Sequence, residues 1–229
     1  MLERLSLYDL LAAFLPGALL LCAIVILFPG VQLPTRGLAL PSEFAVAALF
    51  AAAILVGEVI QAVGSLLEPK LFKMFGGRPS DLAVVGTLGE RYLPADASAR
   101  IRNKLLTRVG DGASDRHLFL AAMSIAESAE GSKAGAFNAQ YGHHRAVTTL
   151  LLATLLIMLP SLHWGAAARW SGTGVGVALA SCAGLLCLFA WRTWQRGAYY
   201  AREVMLAAER RLNADEGAGT SKPKGANAS

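Results

Sequence analysis

Glu58, Gln61, Ser65 and Glu68 stand at i, i+3, i+7 and i+10, directly after fourteen apolar or small residues from Phe44 to Gly57. On an α-helix, at about 100° per residue, these four side chains share one narrow face. Counted from Phe44 at about 1.5 Å per residue, Glu58 lies roughly 21 Å along the helix. A carboxylate facing lipid at that depth costs roughly 2–3 kcal/mol or more, so the face must turn toward protein or water. Two chemistries fit it. One is a polar seam in which Glu58 pairs with a cation on a neighbouring helix; the other is a path for ions or protons. For the seam, the sequence offers Arg145, followed by Thr148 and Thr149.

Other residues with chemical potential form weaker patterns. His143, His144 and Arg145 adjoin in YGHHRA. Neighbouring helical residues diverge by about 100°, and neither histidine has a His or carboxylate four residues away, so no metal site is expected. Arg100, Arg102, Lys104 and Arg108 in ADASARIRNKLLTRVG make a basic face. It suits an anionic lipid or another negatively charged ligand, or else it is a solvated face that helps set orientation. VVGTLGERY lacks the Lys-Ser/Thr of a phosphate-binding loop, and neither Gly-x-Ser-x-Gly nor His-Glu-x-x-His occurs. The expectation is a protein that is not an enzyme and uses no cofactor.

The elements that hold these residues are apolar. Of 229 residues, 55% are hydrophobic and 16% charged, with a mean hydropathy of +0.47; soluble domains carry about 25% charged residues. Four runs are long enough to approach the roughly 20 residues a membrane-crossing helix needs. They are 10–28, broken by Pro16-Gly17, then 44–67, 146–162 and 172–191. The first is read as a retained span, because only Arg4 precedes it, against Glu3 and Asp9, and Leu21 stands where a lipoprotein signal takes a small residue before its cysteine. Cys22, Cys182 and Cys187 lie in the first and last runs without metal or disulfide spacing and are expected as small packing residues. In the fourth run Gly172, Gly176, Ala180 and Gly184 repeat every four residues, a stripe that lets helix backbones approach closely within one chain or between copies.

Nineteen Lys and Arg fall at the N-terminus, in 68–145 and after Trp191, against Arg36 and Arg169 on the other side. The positive-inside rule then places both termini and 68–145 in the cytoplasm, with Trp164 and Trp170 at the outer interface and Trp191 and Trp194 at the inner one. The high pI of 9.3 is therefore read as orientation, and nucleic acid is not the expected partner. Within 68–145, Ser80-Asp81 reads as the start of a helix through LAVVGTLGERYL. Ile101, Leu105, Leu106 and Val109 line one face of a second helix, Ser114-Asp115 caps a third, and a last one runs from near Lys133 into the third span. Trp191, Trp194, Ala198, Ala201, Met205, Ala208 and Leu212 alternate at spacings of three and four. They mark a cytoplasmic helix over 192–212, packed either on the chain's own helical unit or on another copy. Residues 213–229 have the composition of a disordered tail.

YDLLAAFLPGALLL at 8–21, with an echo in RGAYYAREV at 196–204, resembles the opening of small, poorly characterised multi-span bacterial inner-membrane proteins, some of them encoded beside antiphage defence genes. The resemblance implies a membrane sensor or effector and assigns no site residues. The sequence as a whole points to an all-α protein. Spans 1 and 2 (1–67) and spans 3 and 4 (146–191) form a four-helix transmembrane bundle, with a helical cytoplasmic unit (68–145) between them. Its expected partners are the bilayer, a further copy of itself and a cytoplasmic protein. The first functional reading is a self-associating sensor or membrane-perturbing effector. The alternatives are a small channel or transporter using Glu58 and Gln61, and a membrane anchor that recruits a partner.

Overall fold

Pro and Gly punctuate the chain into helices of very unequal length. A computed structural model describes residues 7–31, 41–129, 131–164 and 170–220. Among them are α1 (Leu7–Leu27), α2 (Ser42–Lys73), α3 (Pro79–Val85), α4 (Ala95–Val109), α5 (Asp115–Glu127), α6 (Ala134–Trp164) and α7 (Gly172–Thr220), and no strand. Three stretches, Glu43–Lys73, Ala134–Trp164 and Gly172–Gly217, are long and apolar enough to cross a membrane; the apolar stretch of α1 over Ala13–Leu27 is shorter. These helices are compatible with an integral membrane protein. Arg4, Arg36 and Arg169, which enter the orientation argument, lie outside the described residues, as do 221–229.

The chain forms two units, 1–75 with 139–193, and 76–138 with 194–229. The first unit takes in the end of α2, because the apolar face of that helix continues past Leu67. Phe72 is fully buried, its ring 6.4 Å from that of Tyr141.

In the first unit α1 and α2 meet backbone to backbone. A Cβ placed on Gly17 would overlap the carbonyl oxygen of Ala53, and one on Gly57 would overlap that of Ala13. Each helix thus contributes an Ala-x-x-x-Gly pair to one crossing, the small-residue packing that substitutes for a hydrophobic driving force between helices in lipid. Pro16, beside Gly17, is fully buried there. α2 then runs antiparallel to α6. Ile60 packs with Ala146 and Leu150, Gly64 lies against Thr149 and Arg145, and Phe72 against Tyr141. Farther along α6, Met158 packs with Leu27 of α1 and Cys182 of α7.

The second unit has a core of its own. Ile101, Leu105, Leu118, Ala122, Val204 and Met205 are fully buried in it, and Ala198, Ala201, Ala208 and Leu212 of the stripe read from the sequence join them, whereas Trp191 at its start is exposed and lies outside this unit. From Trp194 to Leu212 that stripe is therefore spent within the chain's own unit. Trp194 donates its indole N–H to the Gly77 carbonyl (3.2 Å) and meets Tyr92 edge to face. Ser114 caps α5, accepting from the backbone N–H of His117. Ser80 does not cap α3. Pro79 opens that helix, a position where its missing N–H is not needed, and Gly86 at φ +84° closes it after seven residues, so LGERYL is not helical. Val109, expected on the buried face of α4, is exposed in the helix's last turn. The tail expected to be disordered from Asn213 is helical through Thr220. Its polar residues are held from α4: Lys104 binds Asn213 and Glu216 (2.6 and 2.7 Å), and Arg108 binds Asp215 at 3.3 Å.

Ser98 is completely buried and its hydroxyl donates to the Ala83 carbonyl. Ser98→Ala leaves that carbonyl unsatisfied in the core, which should cost about 1–3 kcal/mol. Denaturant unfolding of the purified protein should show a lowered midpoint, and an unchanged midpoint would mean water reaches Ala83.

Candidate functional site

The four polar residues of α2 do not act as one seam. Together they cover about 80° of the helix, and the buried stripe through Ala53, Gly57, Ile60 and Gly64 runs past only one edge of that arc. Glu68 falls beside this stripe. Glu58 falls on the far side, exposed among Leu55, Val59 and Leu66, which are 67%, 61% and 76% accessible. Ser65 is also exposed and donates to the Gln61 carbonyl one turn back (3.0 Å).

The expected Glu58–Arg145 pair is corrected by this register. Arg145 lies against Gly64, whose missing side chain leaves room for it; a Cβ there would meet Thr149 Oγ1 at 2.6 Å and Arg145 Cγ at 3.2 Å. From that level the guanidinium reaches one turn onward to Glu68, Nη1 to Oε2 3.0 Å. Glu58, ten residues earlier on α2, is about 15 Å away along the helix. The pair is largely shielded, with 23% of the Arg145 side chain and 18% of the Glu68 side chain accessible. Tyr141, one turn before Arg145, places its ring 5.5 Å from the guanidinium carbon. Arg145 Nε is buried without a hydrogen-bond partner.

Beside the pair, two hydroxyls join α6 to α7. Thr148 Oγ1 and Thr193 Oγ1 are 2.8 Å apart and buried. One donates across the gap, and the other donates to the carbonyl one turn back on its own helix, His144 or Phe189. Thr149 donates to the Arg145 carbonyl. Glu68, Arg145, Thr148, Thr149 and Thr193 all line one groove of about 580 Å³ between α2, α6 and α7.

No family model, curated protein or solved structure matches this chain.

The other sequence candidates resolve differently. The basic face of α4 is matched by acid. Arg100 contacts Asp96 and Glu209 (2.7 and 3.6 Å), Arg102 contacts Asp115 (3.0 Å), Lys104 contacts Glu216, and Arg108 contacts Asp215. The hydrogen bond from Arg100 holds the Asp96 carboxyl below the usual carboxylate range. An anionic ligand would have to displace these carboxylates, so the face reads as structural. Exposed pairs of this kind are worth about 0–1 kcal/mol each. The stripe on α7 packs on nothing among the described residues. No atom lies within 4 Å of a Cβ built on Gly172, Gly176 or Gly184, and Ala180 is exposed. Within the chain the close approach is made by Ala13, Gly17, Ala53 and Gly57. Their i, i+4 spacing was visible in the sequence but was overshadowed by the longer repeat.

Proposed function

We propose that this chain is a non-enzymatic, four-span protein of a bacterial inner membrane that self-associates in the bilayer and passes a signal through its cytoplasmic helical unit. α1 is counted as a span because its 21 residues reach about 31 Å at 1.5 Å per residue, and because it packs backbone to backbone on α2. Orientation rests on the nineteen Lys and Arg against two. The signalling role draws on the resemblance of the first span and on the continuity of α7, one unbroken helix from Gly172 to Thr220 that belongs to both units.

The observation that carries self-association is the uncovered small-residue face of α7 over three turns of an apolar helix. A second copy can approach it as closely as α1 approaches α2. Glu58 supports the same reading: an exposed carboxylate at bilayer depth is costly until protein or water covers it. Since Glu58 does not line the groove beside Arg145, an ion path through it would be a property of the assembly, not of one chain.

Gly176→Ile with Gly184→Ile tests this. Both side chains enter open space among the described residues of the single chain, so its thermal unfolding should be unchanged, whereas the particle mass in nanodiscs should fall to that of one chain. A wild-type protein that is already a single chain at all protein-to-lipid ratios would end the proposal.

A further inference from the structure

The groove between α2, α6 and α7 is of a size that takes a ligand; sites for small molecules occupy about 300–1,000 Å³. Its walls on α6 and α7 pass from apolar to polar residues, and its wall on α2 holds charge within an apolar run. Along α2 the lining carries Glu68 and Lys70 between Gly64 and Leu67 on one side and Leu71, Phe72, Met74 and Phe75 on the other. Along α6, antiparallel to it, the lining passes from Leu152 through Thr149 and Thr148 to Arg145. Along α7 it passes from Leu186 and Cys187 to Thr193. The groove is therefore largely apolar with its charge gathered at Glu68, Lys70 and Arg145, and its walls are helices long and apolar enough to cross a membrane.

The charge is not balanced. Glu68 answers Arg145, while Lys70 is exposed and has no ion pair among the described residues. Arg145 keeps one further donor, Nε, buried and unused. One surplus cation and one spare N–H call for an anionic oxygen. The apolar lining around them calls for a hydrocarbon chain rather than a soluble anion.

We propose that this groove is a binding site for an anionic phospholipid, with one acyl chain lying between Leu67, Leu152 and Leu186 and the phosphate at Lys70 and Arg145. The inference rests on the chain's being embedded in a bilayer but not on which way it is threaded, nor on self-association. The lipid enters from whichever leaflet Lys70 faces. A headgroup read here would be a specific ligand and not part of the general lipid annulus, because an annulus has no reason to discriminate between headgroups on the same chains.

Native mass spectrometry of the full chain released from detergent, titrated with phosphatidylglycerol or with phosphatidylcholine of identical chains, tests it. We expect one phosphatidylglycerol per chain bound more tightly than phosphatidylcholine. Lys70→Gln should weaken the phosphatidylglycerol affinity roughly fivefold, the order expected for one cation near a membrane surface, and leave phosphatidylcholine unaffected. Cys187→Trp fills the groove from an exposed position on α7 and should remove the tightly bound lipid of either kind. Glycerophosphoglycerol, the headgroup without chains, should not bind measurably. Arg102→Gln, on the paired face of α4, should change nothing. The same spectra report the number of chains per particle, so loss of lipid and loss of assembly are read separately. Equal affinity for the two lipids in the wild type, or an unchanged bound lipid in Cys187→Trp, would overturn the proposal.

Discussion

Gly57→Leu should separate α1 from α2 and unfold the first unit at temperatures where the wild-type protein is intact. The contact at Gly57 is with backbone, the carbonyl of Ala13, and a carbonyl on a regular helix cannot swing aside as a side chain end can. Even Gly57→Ala places its Cβ inside that oxygen, so the two helices must move apart and lose the packing around Phe14 and Phe50, whose ring centroids are 4.6 Å apart. Overpacking inside a protein commonly costs about 1–3 kcal/mol, and a clash with backbone on both sides belongs at or above the upper end. Gly17→Leu should behave alike, because its Cβ meets the carbonyl of Ala53 and the backbone N of Gly57. The comparison that makes this specific is Gly176→Leu, which meets nothing among the described residues. Thermal unfolding in detergent should rank Gly57→Leu far below wild type and Gly176→Leu beside it. Equal unfolding temperatures for the two variants would refute the crossing.

Arg145→Leu should be the most damaging single change at the groove. It leaves Glu68 as an unpaired carboxylate with 18% of its side chain accessible. Removing one partner of a fully buried pair costs about 3–5 kcal/mol. The partial access of water here should reduce that to roughly 2–3 kcal/mol. Glu68→Gln keeps a hydrogen-bond acceptor for Arg145 Nη1 and should be milder. A double-mutant cycle of Arg145 with Glu68 should show a coupling energy of about 1 kcal/mol or more, while the cycle of Arg145 with Glu58 should be additive within about 0.5 kcal/mol, as distant residues usually are. Strong coupling to Glu58 would restore the pairing expected from the sequence and displace the register described for α2 and α6.

The helices themselves were legible in the sequence because their signals are local. Apolar run length marks α1, α2, α6 and α7, and the Ser114 cap marks α5. What was not legible is which face of each long helix is covered. Glu58 and Glu68 belong to one polar arc, and periodicity alone selected Glu58 because it lies deeper in the apolar run. Only the antiparallel register with α6 decides that Arg145 meets Glu68. The same limit applies to small residues. Gly172, Gly176, Ala180 and Gly184 make the longer repeat, yet the close crossing in the chain uses two short ones, Ala13 with Gly17 and Ala53 with Gly57. A repeat states that close approach is permitted; it does not state what approaches. The last turns of α7 were missed for a related reason. Composition from Asn213 onward favours disorder, and the ion pairs from Lys104 and Arg108 that hold it come from residues more than a hundred positions away.

The central claim, a four-span protein with its second unit in the cytoplasm, is tested most directly by cysteine accessibility in intact cells. With Cys22, Cys182 and Cys187 replaced by Ala, a cysteine at Gly112, exposed between α4 and α5, is compared with one at Gly30, exposed after α1. An impermeant maleimide should label Gly30→Cys in intact cells and should label Gly112→Cys only after the membrane is permeabilised. Ready labelling of Gly112→Cys in intact cells, or protection of Gly30→Cys until permeabilisation, would contradict the threading and with it the proposed cytoplasmic role of the second unit.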